Sequence, residues 1–152
     1  IAIGNVMRSD DGIGAHIVQY ILHNQLEQGF ITLDFATNAW GILPLLNSNT
    51  EKLLIIDCAK MGKTSASYQF FSLDSVAYRD KHTVESHESS IVELVKLAQQ
   101  CGYHIPCISI MGIEPACVTF GLSLSAIIEA RLAEYADQAI DFILCNRGSY
   151  CL

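Results

Sequence analysis

Apolar residues fall along this chain in short bursts separated by polar turns, and the rhythm of the bursts changes from strand to helix and back. Ile1-Ala2-Ile3 reads as the end of a buried strand stopped by Gly4-Asn5. From about Asp11 to Leu26 the apolar positions Ile13, Ile17, Tyr20 and Ile21 share one helical face. Phe30 to Ala36 predicts a second strand, and a short helix follows around Trp40 to Leu46, with Pro44 in its first turn or kinking it. Leu53-Leu54-Ile55-Ile56 is a continuous apolar run that ends on Asp57, and Tyr68 to Leu73 reads as a fourth strand. The loop between them is too short for a helical crossover, so the expectation is an antiparallel hairpin. Asp74 to His87 is polar and irregular. A helix is predicted from about Glu88 to Cys101, a last strand from Ile105 to Ile110, a loop from Gly112 to Gly121, and a long final helix from Ser123 to about Cys145.

Strands alternating with helices indicate an α/β fold in one domain spanning 1–152. The expected sheet is twisted, five-stranded and mostly parallel, with one antiparallel strand and helices on both faces. Composition agrees: 51% of the 152 residues are apolar and 16% charged, which excludes a disordered chain. Mean hydropathy is +0.31, yet no apolar run approaches the roughly 18 residues of a membrane span. The net charge of −7 would repel a polyanion, so nucleic acid is not an expected partner. Six cysteines without a Cys-x-x-Cys pair read as small buried hydrophobes in a reducing cytoplasm.

In open α/β sheets, ligands bind beyond the carboxyl ends of the strands. Those ends carry the loop Gly4 to Gly14 with its Asp10-Asp11 pair, then Thr37 and Asn38, then Asp57, and finally Gly112, Glu114 and Pro115. The first loop is glycine-rich but matches neither the dinucleotide nor the P-loop pattern, and two carboxylates at a helix start disfavour phosphate. Asp10 or Asp11 can cap the helix that follows; capping uses one of them and leaves the other unexplained. Asp57 is expected to be partly exposed. His16 and His23 share a helical face without metal-pair spacing; His82 and His87 lie in the polar stretch, and Ser86-His87-Glu88 at a helix start fixes its ring best. Two carboxylates and one imidazole suit a borderline metal such as nickel, zinc or iron(II). No Gly-x-Ser-x-Gly elbow marks a covalent nucleophile.

The run Gly4-Asn5-Val6-Met7-Arg8-Ser9-Asp10-Asp11-Gly12-Ile13-Gly14 resembles the opening motif of the hydrogenase maturation proteases. Ile55-Ile56-Asp57-Cys58-Ala59, then Ser86-His87-Glu88 with the helix after it, then Met111-Gly112-Ile113-Glu114-Pro115 resemble that family's later segments in the same order. The resemblance implies a peptidase that trims the C-terminal tail of a nickel–iron hydrogenase large-subunit precursor. It places Asp11, Asp57 and His87 as catalytic and metal-binding residues, with Asp10 as a cap or support. The implied metal is nickel carried by the precursor, and another divalent ion can occupy the site in the isolated protein. It further implies a cytoplasmic monomer, since one transient tail needs a modest interface. A non-proteolytic metal- or precursor-binding chaperone, or a small-molecule hydrolase with the same triad, is the alternative. Glu114 stands where the family usually has Gln, and is expected to add a negative group to the site.

Overall fold

The structure, a computed structural model, describes residues 1–73 and 87–145, and residues 87–90 by their backbone alone. Three strands form the sheet: β1 (Lys52–Cys58), β2 (Tyr68–Ser72) and β3 (Cys107–Ile113). Their order is β1-β3-β2. β1 runs parallel to β3, in register from Lys52 opposite Cys107 to Cys58 opposite Ile113. β2 is antiparallel to β3, with Tyr68 opposite Ile113 and Ser72 opposite Ser109.

The one antiparallel strand is therefore where it was expected, but the hairpin is not. β3 inserts between the two strands that follow one another in sequence. The helix before β3 supplies the long connection that a parallel β1–β3 pair needs. The five-stranded sheet also becomes three strands among the described residues, because the first two predicted strands are reduced to single bridges. Ala2 bridges Asp34 on one side and Ile56 on the other, both in parallel. The Ile3 N–H donates to the Ile56 carbonyl at 3.1 Å, and the Gly4 N–H to the Ala36 carbonyl at 2.8 Å. Gly4 and the turn after it end the first segment before a ladder can build.

Strand periodicity sorts the core. Leu53 and Ile55 of β1 and Ile108 and Ile110 of β3 point to one face, against Ile42, Leu46, Ile91, Leu94 and Val95. Leu54, Ile56 and Cys58, with Met111 and Ile113, point to the other, against Ile13, Ile17, Ile128 and Tyr135. Both faces of the central strands are covered, which explains why β1 reads as a continuous apolar run.

Around the sheet lie a 3-10 turn (Ser9–Gly12) running into α1 (Ile13–His23), a 3-10 helix (Ala39–Leu45) containing Pro44, α2 (His87–Gln100), α3 (Ala126–Glu129) and α4 (Leu132–Cys145). The predicted long final helix is thus two helices joined at Ala130–Arg131. The predicted first helix begins as a tighter turn and stops three residues early. Among the described residues no helix is long and apolar enough to cross a membrane. The cysteine reading holds for Cys58, which is buried; Cys101 and Cys145 are exposed and Cys107 is disulfide-bonded.

Candidate active site

β1 and β3 deliver their last residues to one end of the sheet, and the loop after residue 3 folds over that end. What brings this loop close is glycine. A β-carbon on Gly4 would stand 2.0 Å from the Asp11 carbonyl oxygen, and one on Gly12 would stand 2.7 Å from the Val6 Cα. At Gly14 it would meet the Ile56 carbonyl oxygen at 2.6 Å, so α1 starts in direct contact with β1. The loop can pack this tightly only without side chains at those three points.

The Asp57 side chain and the Asp11 backbone approach each other at Gly4. Asp57 Oδ1 lies 3.9 Å from the position of that missing β-carbon, beside the Asp11 backbone. The two carboxylates differ in environment. Asp11 is half-buried, and its Oδ2 accepts the Asn5 N–H at 3.2 Å. Asp57 is fully buried, at 0% exposure, contrary to the partial exposure expected. It is the last residue but one of a strand whose two faces are both covered, so its carboxylate enters the interior before the chain leaves the sheet. By strand alternation it shares the face of Leu53 and Ile55, on which α2 packs.

Asp10 has a separate task. Neither it nor Asp11 caps the helix it precedes. Instead the Asp10 side chain, 1% exposed, crosses to the loop after β3. Oδ2 accepts the N–H groups of Ala116 at 2.9 Å and Cys117 at 2.8 Å and the Ser125 hydroxyl at 2.9 Å; Oδ1 accepts the Ser125 N–H at 2.7 Å. The Ser9 N–H donating to the Gly121 carbonyl at 2.8 Å, and the Gly121 N–H to the Met7 carbonyl at 3.0 Å, complete the seam. Four exposed apolar side chains, Val6, Met7, Phe120 and Leu122, border this seam.

Glu114 does not join the carboxylate pair as expected. Its buried side chain turns to the loop after β1, where Oε2 accepts the N–H groups of Met61 at 2.6 Å and Lys63 at 3.0 Å. The combined field of these acids registers on Cys58. Burial pushes its thiol pKa up strongly, and Asp57, Asp11, Asp10 and Glu114 add to the rise in that order. A thiol so placed stays protonated and is no nucleophile.

His87 is the first residue of α2, one position before the predicted helix start, and its side chain lies outside the described residues, as does all of His82. Among the described residues no three ligating side chains form a metal-binding group. Carboxylate oxygens are donors that a divalent cation takes, so Asp11 and Asp57 fit such an ion by their chemistry. The sequence reading missed Ser125 and the backbone N–H groups of residues 116 and 117, because hydrogen bonds over more than a hundred residues leave no local pattern.

A profile of the hydrogenase maturation protease family matches residues 16–142. The chain belongs to the hydrogenase maturation protease family. That family is one of peptidases, so the acids above sit in a peptidase frame. The fold is similar to that of the hydrogenase maturating endopeptidase HybD from Escherichia coli, with a TM-score of 0.78 at 20% identity over 96% of this chain and 90% of that one. It is also similar to the NiFe hydrogenase maturation protease HycI from Thermococcus kodakarensis, with a TM-score of 0.72 at 17% identity over 95% and 89%. A relative in Rhodobacter capsulatus, the hydrogenase expression/formation protein HupD, is 26% identical over 117 residues, 76% of this chain and 55% of its own.

Proposed function

We propose that this chain is an endopeptidase that removes the C-terminal extension of a nickel–iron hydrogenase large-subunit precursor after nickel insertion. The observation that carries the reading is the approach of the Asp57 side chain to the Asp11 backbone at the exit end of the sheet, made possible by Gly4. Family membership supports the peptidase class, and the site supplies groups such a reaction can use.

In this reading Asp11, Asp57 and His87 engage the nickel that the precursor already carries. α2 supports a place for His87 in the site. It leads through residues 101–106 into the start of β3, so it runs back along the sheet and its first residue lies toward the end where Asp57 stands. A metal held there would supply positioning of the peptide or activation of water. The chain's own residues do the rest. Asp57, shielded from water, is the less solvated base. Asp11, half-open, meets the incoming substrate first. The apolar border of Val6, Met7, Phe120 and Leu122 gives the peptide on either side of the cut a surface to lie on. A precursor without nickel lacks the anchor, so processing reports that the metal has been inserted.

The test is to incubate the protein with nickel-loaded and nickel-free precursor and to resolve the trimmed product by mass. Cleavage of the loaded form alone is expected; equal cleavage of both would remove nickel from the recognition step. Tight precursor binding without any cleavage would make the chain a chaperone.

A further inference from the structure

Ser9 has φ +53°, in the left-handed region that glycine enters at little cost and a residue with a β-carbon does not. Glycine would serve this turn better, so the reason for serine lies in its side chain. That side chain reaches across the molecule. The Ser9 hydroxyl donates to the Thr119 carbonyl at 3.2 Å, and the Ser9 N–H donates to the Gly121 carbonyl at 2.8 Å. These two acceptors flank Phe120. Gly121 leaves the hydroxyl its room, because a β-carbon there would stand 2.9 Å from Ser9 Oγ. One buried, strained residue thus clamps the chain on both sides of Phe120.

Phe120 is the most exposed large apolar side chain among the described residues, at 82%. Residues 115–128 contain no charged side chain, in a chain of net charge −7. An uncharged apolar ridge held in one position on an acidic molecule is suited to contact with another molecule. Backbone strain of the Ser9 kind gathers where geometry serves function. Continuity with the site names the partner. From Ser9 the chain turns into Asp10, tied to residues 116, 117 and 125, and then into Asp11. A chain bound at Asp11 lies within reach of a ridge anchored two residues away. We infer that Ser9 is a positioning residue, whose hydroxyl and N–H fix Phe120 as the contact that seats the precursor beside Asp11. Ser9 touches no substrate itself and acts through Phe120. The inference rests on the peptidase reading for the identity of the partner.

The experiment separates the hydroxyl from the strain. Ser9→Ala removes the hydroxyl and keeps a β-carbon on the left-handed backbone; Ser9→Gly removes the hydroxyl and relaxes the backbone. Ser9→Gly should therefore melt above Ser9→Ala. Both should nevertheless raise KM for nickel-loaded precursor about fivefold, the worth of one hydrogen bond, and leave kcat unchanged. Hydrogen exchange at the Gly121 N–H should be about fivefold faster in both. Phe120→Ala should raise KM about thirtyfold, and adding Ser9→Ala to it should raise KM no further, because the clamp then has nothing to hold. A KM that follows the melting temperature, so that Ser9→Gly processes like wild type, would make Ser9 a structural residue only and overturn the inference. Additive effects of Ser9→Ala and Phe120→Ala would overturn it too. Affinity for the precursor, measured by calorimetry in an Asp57→Asn background, tells the two readings apart. Binding that depends on Ser9 and Phe120, with no trimming by the wild type, would refute the peptidase reading and keep the clamp. Trimming by Ser9→Ala with an unchanged KM would refute the clamp and keep the peptidase.

Discussion

The Asp11 carbonyl oxygen passes Gly4 at a point only 2.0 Å from where a β-carbon would be. The first loop and the end of β1 approach each other through that gap. Gly4 also has φ +149°, a conformation that L side chains rarely adopt. Gly4→Ala therefore has to push the Asp11 backbone away from Asp57. The expected cost is about 3 kcal/mol or more, from backbone strain and overpacking together. Urea unfolding measures it, and precursor processing should be lost even at temperatures where the variant is folded. Gly102→Ala is the comparison. It also has a positive φ, +82°, but nothing lies within 4 Å of its added carbon. That variant should cost about 1 kcal/mol and process normally.

Asp11 and Asp10 are neighbours with opposite expected phenotypes. Asp11 is half-buried and accepts one hydrogen bond from a backbone amide. Asp11→Asn should change stability by about 0.5 kcal/mol or less. Processing should fall by at least about a hundredfold if the carboxylate does the chemistry assigned to it. Asp57→Asn should show the same loss with a native circular dichroism spectrum. If either variant trims the precursor at the normal rate, the carboxylate pair is not the working centre.

Much of this arrangement is legible in the sequence, and the part that is not has a physical reason. Leu53 to Ile56 announces a strand because a strand covered on both faces needs no polar positions, and Asp57 stands out because it interrupts that rule. The Gly4 to Gly14 run announces a tight loop because side chains would block it. What stays hidden is pairing at a distance. Nothing local says that β3 separates β1 from β2, so the nearest strands look like a hairpin. Nothing local says that Asp10 bonds Ser125 or that Glu114 bonds Met61. The buried state of Asp57 is hidden for the same reason, since it depends on what folds over it.

Asp10 holds together two segments that the sequence keeps more than a hundred residues apart. Asp10→Ala leaves the N–H groups of Ala116, Cys117 and Ser125 without their acceptor. Water can reach some of these donors, so the expected loss is about 2–4 kcal/mol rather than the full sum. Asp10→Asn keeps one acceptor oxygen but aims an NH2 group at donors, and should lose about 1–2 kcal/mol. Denaturant midpoints for the pair give the order Ala below Asn below wild type. Hydrogen exchange should speed up at residues 116–125 in both variants. Protection unchanged in that loop would mean that Asp10 does not hold it.

Tyr135 supports the same end of the molecule from beneath. Its hydroxyl donates to the Ala66 carbonyl at 2.7 Å, and the Arg131 guanidinium bonds the same oxygen. Ala66 in turn donates its N–H to the Glu114 carbonyl at 2.8 Å, so the phenol props the loop against which Glu114 folds. Burial raises the Tyr135 pKa above 10, opposed by Arg131 and assisted by Glu134 and Asp10. The folded state thus favours the neutral phenol. The stability this contributes is complete below the unfolded value near 10 and is lost as pH climbs through the raised folded value. Tyr135→Phe should cost about 1 kcal/mol at pH 8, where the hydrogen bond is intact. Above pH 10 the wild type should lose stability faster than the variant, and the gap between their melting temperatures should close. Absorbance at 295 nm should show one late-titrating tyrosine in the wild type that Tyr135→Phe removes. A phenol that ionises with the exposed tyrosines, or a gap that widens with pH, would place Tyr135 outside this prop.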